Sequence, residues 1–133
     1  MLSQVIAIKS FHGKYLSSNS DGKITCNKTD LKDNENFILR PSGRFVTIET
    51  KFGKYLSAQP NGNLEGNKEE IGNNERFELK KTDDNKYTFK SCHGFYISAQ
   101  KDGSIEVNRT VAKGFESFEI IVLKVESLMD SLK

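Results

Sequence analysis

The sequence predicts an all-β fold of three pseudo-symmetric units, and three observations carry that prediction. The chain repeats itself three times, its apolar residues recur with a period of two, and glycine dipeptides sit at matched points between the apolar runs. At 133 residues it has the length of one domain, enough to bury a core without disulfide or metal.

Written under one another, residues 5–40, 45–80 and 86–121 share seven columns of a single residue type. These are Gly13/Gly53/Gly94, Tyr15/Tyr55/Tyr96, Ser17/Ser57/Ser98, Gly22/Gly62/Gly103, Asn27/Asn67/Asn108, Glu35/Glu75/Glu116 and Phe37/Phe77/Phe118. The step is 40 residues and then 41, and the extra residue is expected in the turn at 82–85. Further columns agree in character: Ile6/Val46/Tyr87, Ile8/Ile48/Phe89, Leu16/Leu56/Ile97, Ile24/Leu64/Ile105 and Leu39/Leu79/Ile120.

Each unit opens with a strand of alternating apolar residues, as in Ile6-x-Ile8 and Val46-x-Ile48. A turn follows at His12-Gly13, Phe52-Gly53 and His93-Gly94, where glycine takes a positive φ at no steric cost. The second strand is Tyr15-Leu16-Ser17 with its counterparts. Asp21-Gly22, Asn61-Gly62 and Asp102-Gly103 then signal hairpins leading to a short strand through Ile24, Leu64 or Ile105. A polar loop of about ten residues leads to the fourth strand, at Phe37-Ile38-Leu39, Phe77-Glu78-Leu79 and Phe118-Glu119-Ile120.

Propeller blades share this strand count and period but close with at least four copies, so three units point to a β-trefoil. Such a fold is a six-stranded barrel capped by three hairpins, with Leu16, Ile24, Phe37, Leu39 and their counterparts as the expected core. The expected domain is 1–124, in units of about 5–43, 44–84 and 85–124. Residues 125–133 read as a short amphipathic tail whose Leu128, Met129 and Leu132 cover the barrel mouth.

Twenty bases against eighteen acids leave a formal net charge of +2, with no Lys/Arg run to track phosphates, so no nucleic-acid partner is expected. The longest apolar run, Ile120-Ile121-Val122-Leu123, is too short to span a bilayer, so no integral membrane contact is expected. The first residues lack a secretory signal, and Cys26 and Cys92 are too few for a disulfide framework. The chain is therefore expected in the cytoplasm with both thiols reduced.

No cofactor, metal or catalytic residue is implied, and the chain is not expected to be an enzyme. Cys92 and His93 are chain neighbours whose side chains would point to opposite faces of a strand, and no third group orients them. His12, Cys26, Cys92 and His93 lack zinc-ligand spacing, and both histidines read as exposed turn residues. The Gly-x-Tyr-x-Ser clusters read as scaffold. Asn27-Lys28-Thr29 and Asn108-Arg109-Thr110 match the glycosylation sequon, but Asn67-Lys68-Glu69 keeps the asparagine without it, so a turn role explains the column better.

The run Gly13-Lys14-Tyr15-Leu16-Ser17 with Asp21-Gly22, and its copies Gly53-Lys54-Tyr55-Leu56-Ser57-Ala58 and Gly94-Phe95-Tyr96-Ile97-Ser98-Ala99, resembles the repeat of the fascin and hisactophilin families of actin-binding β-trefoils. The ending Phe115-Glu116-Ser117-Phe118-Glu119-Ile120-Ile121-Val122 is similar to the closing strand of hisactophilin. The resemblance implies binding of filamentous actin and a place in the cytoskeleton. Hisactophilins carry many loop histidines and an acylated N-terminal glycine, where this chain has two histidines and Leu2. Fascins string several trefoils together. A lone trefoil, expected as a monomer or weak homodimer, would cross-link or bundle filaments only when dimeric.

The loop at 27–34 aligns with a Ser- and Lys-rich fascin loop; Lys28, Thr29 and Lys32 keep that character, while Asp30 and Asp33 dilute it. With Lys14, Lys23, Lys51 and Lys54 on other loops and outward strand positions, these residues form the candidate contact with an acidic filament. Phosphorylation of Thr29 would oppose that contact. The alternative function is carbohydrate binding, as in lectin trefoils, although the chain has no tryptophan and Tyr15, Tyr55 and Tyr96 would have to stack on the sugar. A secreted cytokine or inhibitor fits less well without signal or disulfides.

Overall fold

A computed structural model describes residues 3–125. They form twelve strands, four in each unit. The first unit holds β1 (Gln4–Lys9), β2 (Tyr15–Ser18), β3 (Ile24–Lys28) and β4 (Phe37–Ser42). The second holds β5 (Phe45–Thr50), β6 (Tyr55–Ala58), β7 (Leu64–Lys68) and β8 (Glu78–Lys81). The third holds β9 (Tyr87–Lys90), β10 (Tyr96–Ala99), β11 (Ile105–Arg109) and β12 (Glu119–Val125). Of the expected tail at 125–133, Val125 instead ends β12, and 126–133, with Leu128, Met129 and Leu132, lie outside the described residues.

The barrel closes on itself. β1 pairs antiparallel with both β4 and β12, β4 with β5, and β8 with β9. Bridges Val46–Phe77 and Tyr87–Phe118 join β5 to β8 and β9 to the start of β12, completing a six-stranded ring without edges. The other six strands make three hairpins, β2–β3, β6–β7 and β10–β11. The fourth strand of the second and third units starts one residue later than expected, at Glu78 and Glu119, with Phe77 and Phe118 held only through those bridges.

Phe37, Phe77 and Phe118 are at most 1% exposed and fill the barrel with Ile6, Ile8, Ile48, Leu56 and Phe89. The expected core positions Leu79, Ile105 and Ile120 are only partly buried and pack against that cluster from its margin. The extra residue of the second step is taken up between β8 and β9, where Asn85 adopts φ 64° in a turn closed by Asn85 N–H to Thr82 O (3.2 Å).

Two repeat columns now acquire causes. Each polar loop folds into a single 3-10 turn, at Asp33–Glu35, Asn73–Glu75 and Gly114–Glu116, within the stretch expected to be loop throughout. The buried glutamate of each turn accepts from a serine hydroxyl of its own unit, Ser17, Ser57 or Ser98, at 2.6, 2.5 and 2.5 Å. Its other oxygen accepts the backbone N–H of Lys32, Gly72 or Lys113 at 2.8, 2.7 and 2.8 Å. A buried carboxylate is tolerable because it is satisfied in this way.

The glycine–asparagine columns interlock the hairpins. Cys26 N–H donates to Gly103 O (2.7 Å), Gly66 N–H to Gly22 O (2.8 Å) and Val107 N–H to Gly62 O (2.8 Å), a cycle through all three units. Gly22, Gly62 and Gly103 lie at φ 89–91° with the asparagine of the next unit against them. At Gly22 and Gly103 an added Cβ would fall 2.7 Å from the asparagine Cβ, so only glycine meets both conditions there at low cost.

Candidate functional site

The sequence-predicted residues divide between three places. After β3 the chain enters the loop that the Glu35 latch fastens to β2, and this produces an open groove of about 670 Å3. Lys28, Thr29 and Lys32 line it together with Asp30, Asp33 and Asn34. Lys51 reaches it from the β5–β6 turn of the second unit, its Nζ 3.9 Å from Asp33 Oδ2 and 5.3 Å from the centre of the Phe52 ring. Lys14 immediately precedes Tyr15, which pairs with Lys28, so it stands beside the entry to the same loop. Lysine charge from two units therefore meets at one seam, partly neutralised by the two aspartates.

Lys54 and Lys23 stand apart. Lys54 is ion-paired with Glu69, and its ammonium draws the Glu69 carboxyl below the ordinary carboxylate range. Lys23 pairs through its backbone with Glu65, in an isolated antiparallel β-bridge beside a cleft of about 480 Å3 where the three hairpin turns meet.

The histidines are not the exposed turn residues expected. Both are half-buried, and each Nε2 donates to a carbonyl of a neighbouring unit: His12 to Ala99 O at 3.0 Å, His93 to Ala58 O at 3.1 Å. The turn that carries each ring packs against the next unit, a tertiary relation no local pattern reveals. Cys92 Sγ donates to Asn74 Oδ1 at 3.4 Å, and burial pushes its pKa up. With His93 engaged by Ala58 O and the thiol by Asn74, the two side chains do not meet in a nucleophile–base pair. Among the described residues no group of three His, Cys, Asp or Glu side chains could hold a metal ion. Tyr15, Tyr55 and Tyr96 are half-buried, with Lys9 and Lys90 each 5.6 Å from the ring centres of Tyr15 and Tyr96.

Sequence reasoning missed a second groove, also of about 670 Å3, at the seam between the first and third units. Phe11, Val111 and Phe115 line it beside Arg109 and Lys113. Phe11 is 65% and Val111 61% exposed. The signal was present as a break in the repeat: Phe11 aligns with Lys51 and Cys92, Val111 with Asp30 and Glu70, and Phe115 with Asn34 and Asn74.

A closed barrel and three interlocked hairpins define a β-trefoil whose distinguishing chemistry lies in its surface loops. The fascin-domain family model matches residues 2–79, more than half of the chain, and the protein belongs to that family of structural, non-enzymatic β-trefoils. No curated protein matches the chain.

Proposed function

We propose that this protein is a non-enzymatic actin-filament-binding module of the cytoplasm. One observation carries the reading: Lys28, Thr29 and Lys32 line one groove inside the matched fascin domain, and Lys51 of the second unit stands 3.9 Å from Asp33 at its edge. An acidic filament is attracted to such a face, and the attraction is screened within about 10 Å at 0.1 M salt. Lys14 extends the face. Lys54, already paired with Glu69, and Lys23, at the hairpin junction, fall outside it. Thr29 is exposed at the groove, so a phosphate there would add negative charge where the filament brings its own. One such face per chain gives binding, while bundling requires two chains.

High-speed cosedimentation with filamentous actin at low and high salt tests this. The wild type should pellet at low salt, release at high salt, and lose at least about tenfold in affinity on K28E/K32E/K51E substitution, while K23E binds normally. Thr29→Glu should weaken binding. Absence of pelleting at low salt would overturn the proposal, and a low-speed spin reports bundling.

A further inference from the structure

We infer that the groove formed by Phe11, Val111 and Phe115 is a second docking surface, and that its occupant is an acidic peptide segment of a partner protein carrying apolar anchor residues.

The repeat supplies its own internal control. Three seams of nearly one backbone geometry join the units. One closes with Lys51 against Asp33 (3.9 Å) and another with Cys92 against Asn74 (3.4 Å). The fold therefore does not require an apolar side chain at these positions. At the remaining seam Phe11 and Phe115 stand 5.9 Å apart and His12 meets Phe115 edge-on at 4.5 Å. Gly114 occupies the position of Asp33 and Asn73, and a Cβ there would come within 3.2 Å of the Phe11 ring. The aromatic shelf thus has its own fitted floor, yet it leaves most of Phe11 and Val111 in water. Exposed aromatic and aliphatic side chains grouped around a concave surface mark an interaction site rather than a core.

The rim decides the occupant. Arg109 and Lys113 flank the apolar floor. Arg109 also reaches Glu106 at 3.1 Å, and among the described residues Lys113 has no ion-pair partner. Glu116, the acid beneath the groove, is buried with both oxygens engaged by Ser98 and the Lys113 N–H. Positive charge therefore frames an apolar trough, which complements acidic residues around an aromatic or aliphatic anchor. A second copy docking through the same face would bring Arg109 and Lys113 against their own counterparts, and like charges oppose that.

The inference is independent of filament binding, because its residues lie at a different seam. The test titrates the full chain into a fluorescein-labelled peptide in which a phenylalanine and a leucine three positions apart are flanked by glutamates, followed by fluorescence anisotropy. Saturable binding is expected, weakened at least about tenfold by Phe11→Ser, by Val111→Ser and by Lys113→Glu, and unchanged in Lys28→Glu. Replacing the probe's two apolar residues by serine, or its glutamates by lysine, should abolish binding. Because Val111 is exposed, its variant keeps the test valid should Phe11→Ser fail to fold. No saturation below about 1 mM, or binding that ignores both variants, would overturn the assignment. Sedimentation equilibrium showing a dimer lost in Phe11→Ser would overturn it in favour of self-association.

Discussion

Substituting Gly103 by alanine tests whether the hairpin interlock holds the fold and the Lys28 groove together. Gly103 lies at φ 89°, and a Cβ built there falls 2.7 Å from Asn27 Cβ. Backbone strain of this kind costs about 1–2 kcal/mol, and overpacking against a neighbour that cannot move freely adds about 1–3 kcal/mol. The total for Gly103→Ala is therefore about 2–5 kcal/mol. Two controls separate the contributions. Gly13 has φ 76° with nothing within 4 Å of the added Cβ, so Gly13→Ala should show the strain alone. Gly62 has φ 91° and its nearest contact at 3.5 Å, so it should resemble Gly13.

Urea melts of the three variants, with m held constant, give the comparison directly. A double-mutant cycle with Asn27→Gly, which removes the obstructing Cβ, should recover the overlap as a coupling of about 1–3 kcal/mol. Asn27 also lines the candidate filament groove beside Lys28, so Gly103→Ala should weaken filament binding from the opposite side of the interlock. Equal destabilisation by Gly103→Ala and Gly13→Ala, or an additive cycle, would refute the reasoning.

Further tests address the core, the latches and the thiol. Phe37 is fully buried at the barrel centre, so Phe37→Ala should cost about 3–5 kcal/mol in a urea melt. Ser17→Ala leaves a buried Glu35 oxygen without its hydroxyl donor and should cost about 1.5–3 kcal/mol. Ser57→Ala should cost less, because the Gln59 amide, 2.7 Å from the Ser57 hydroxyl, stands ready to replace it. Burial pushes the Cys26 thiol from 9.0 up to about 11, so the folded state holds that proton more tightly than the unfolded chain. Its contribution is intact below about pH 9 and lost as pH climbs towards 11. The stability of wild type relative to Cys26→Ala should therefore fall by about 2–3 kcal/mol across that window, measured by urea unfolding at stepped pH.

The barrel and hairpins were legible because their causes are local and written three times. A positive φ at Gly13, alternation through Ile6 and Ile8, and the Asp21-Gly22 turn each follow from neighbouring residues. The repeat also exposed the Ser17 and Glu35 columns, but their meaning as a latch was hidden. A buried carboxylate is read from sequence as surface charge unless its partner, eighteen positions away, is known. The environment of His12 is hidden for the same reason, its carbonyl partner lying in another unit at Ala99. Of the candidate site, the loop lysines were legible as charge. Their division between the Lys28–Lys51 seam and the Lys23–Glu65 junction depends on how the units rotate about the axis, which no single repeat encodes.

Departures from symmetry therefore say more about function here than the symmetry does. Columns identical in all three units, such as Gly22, Asn27 and Phe37 with their counterparts, serve the fold and are accounted for by turns, interlocks and core. Exposed columns that change chemical character from unit to unit are not dictated by the fold. The charged seam at Lys51 and the aromatic seam at Phe11 lie a third of a turn apart on one barrel whose ring is closed without edges. A closed, densely packed barrel offers no second arrangement through which one seam could bias the other. Ligands at the two grooves should therefore bind independently. A saturating acidic peptide should leave filament affinity unchanged in cosedimentation, and a shift of more than about threefold would show that the two seams communicate through a conformational change this packing does not contain.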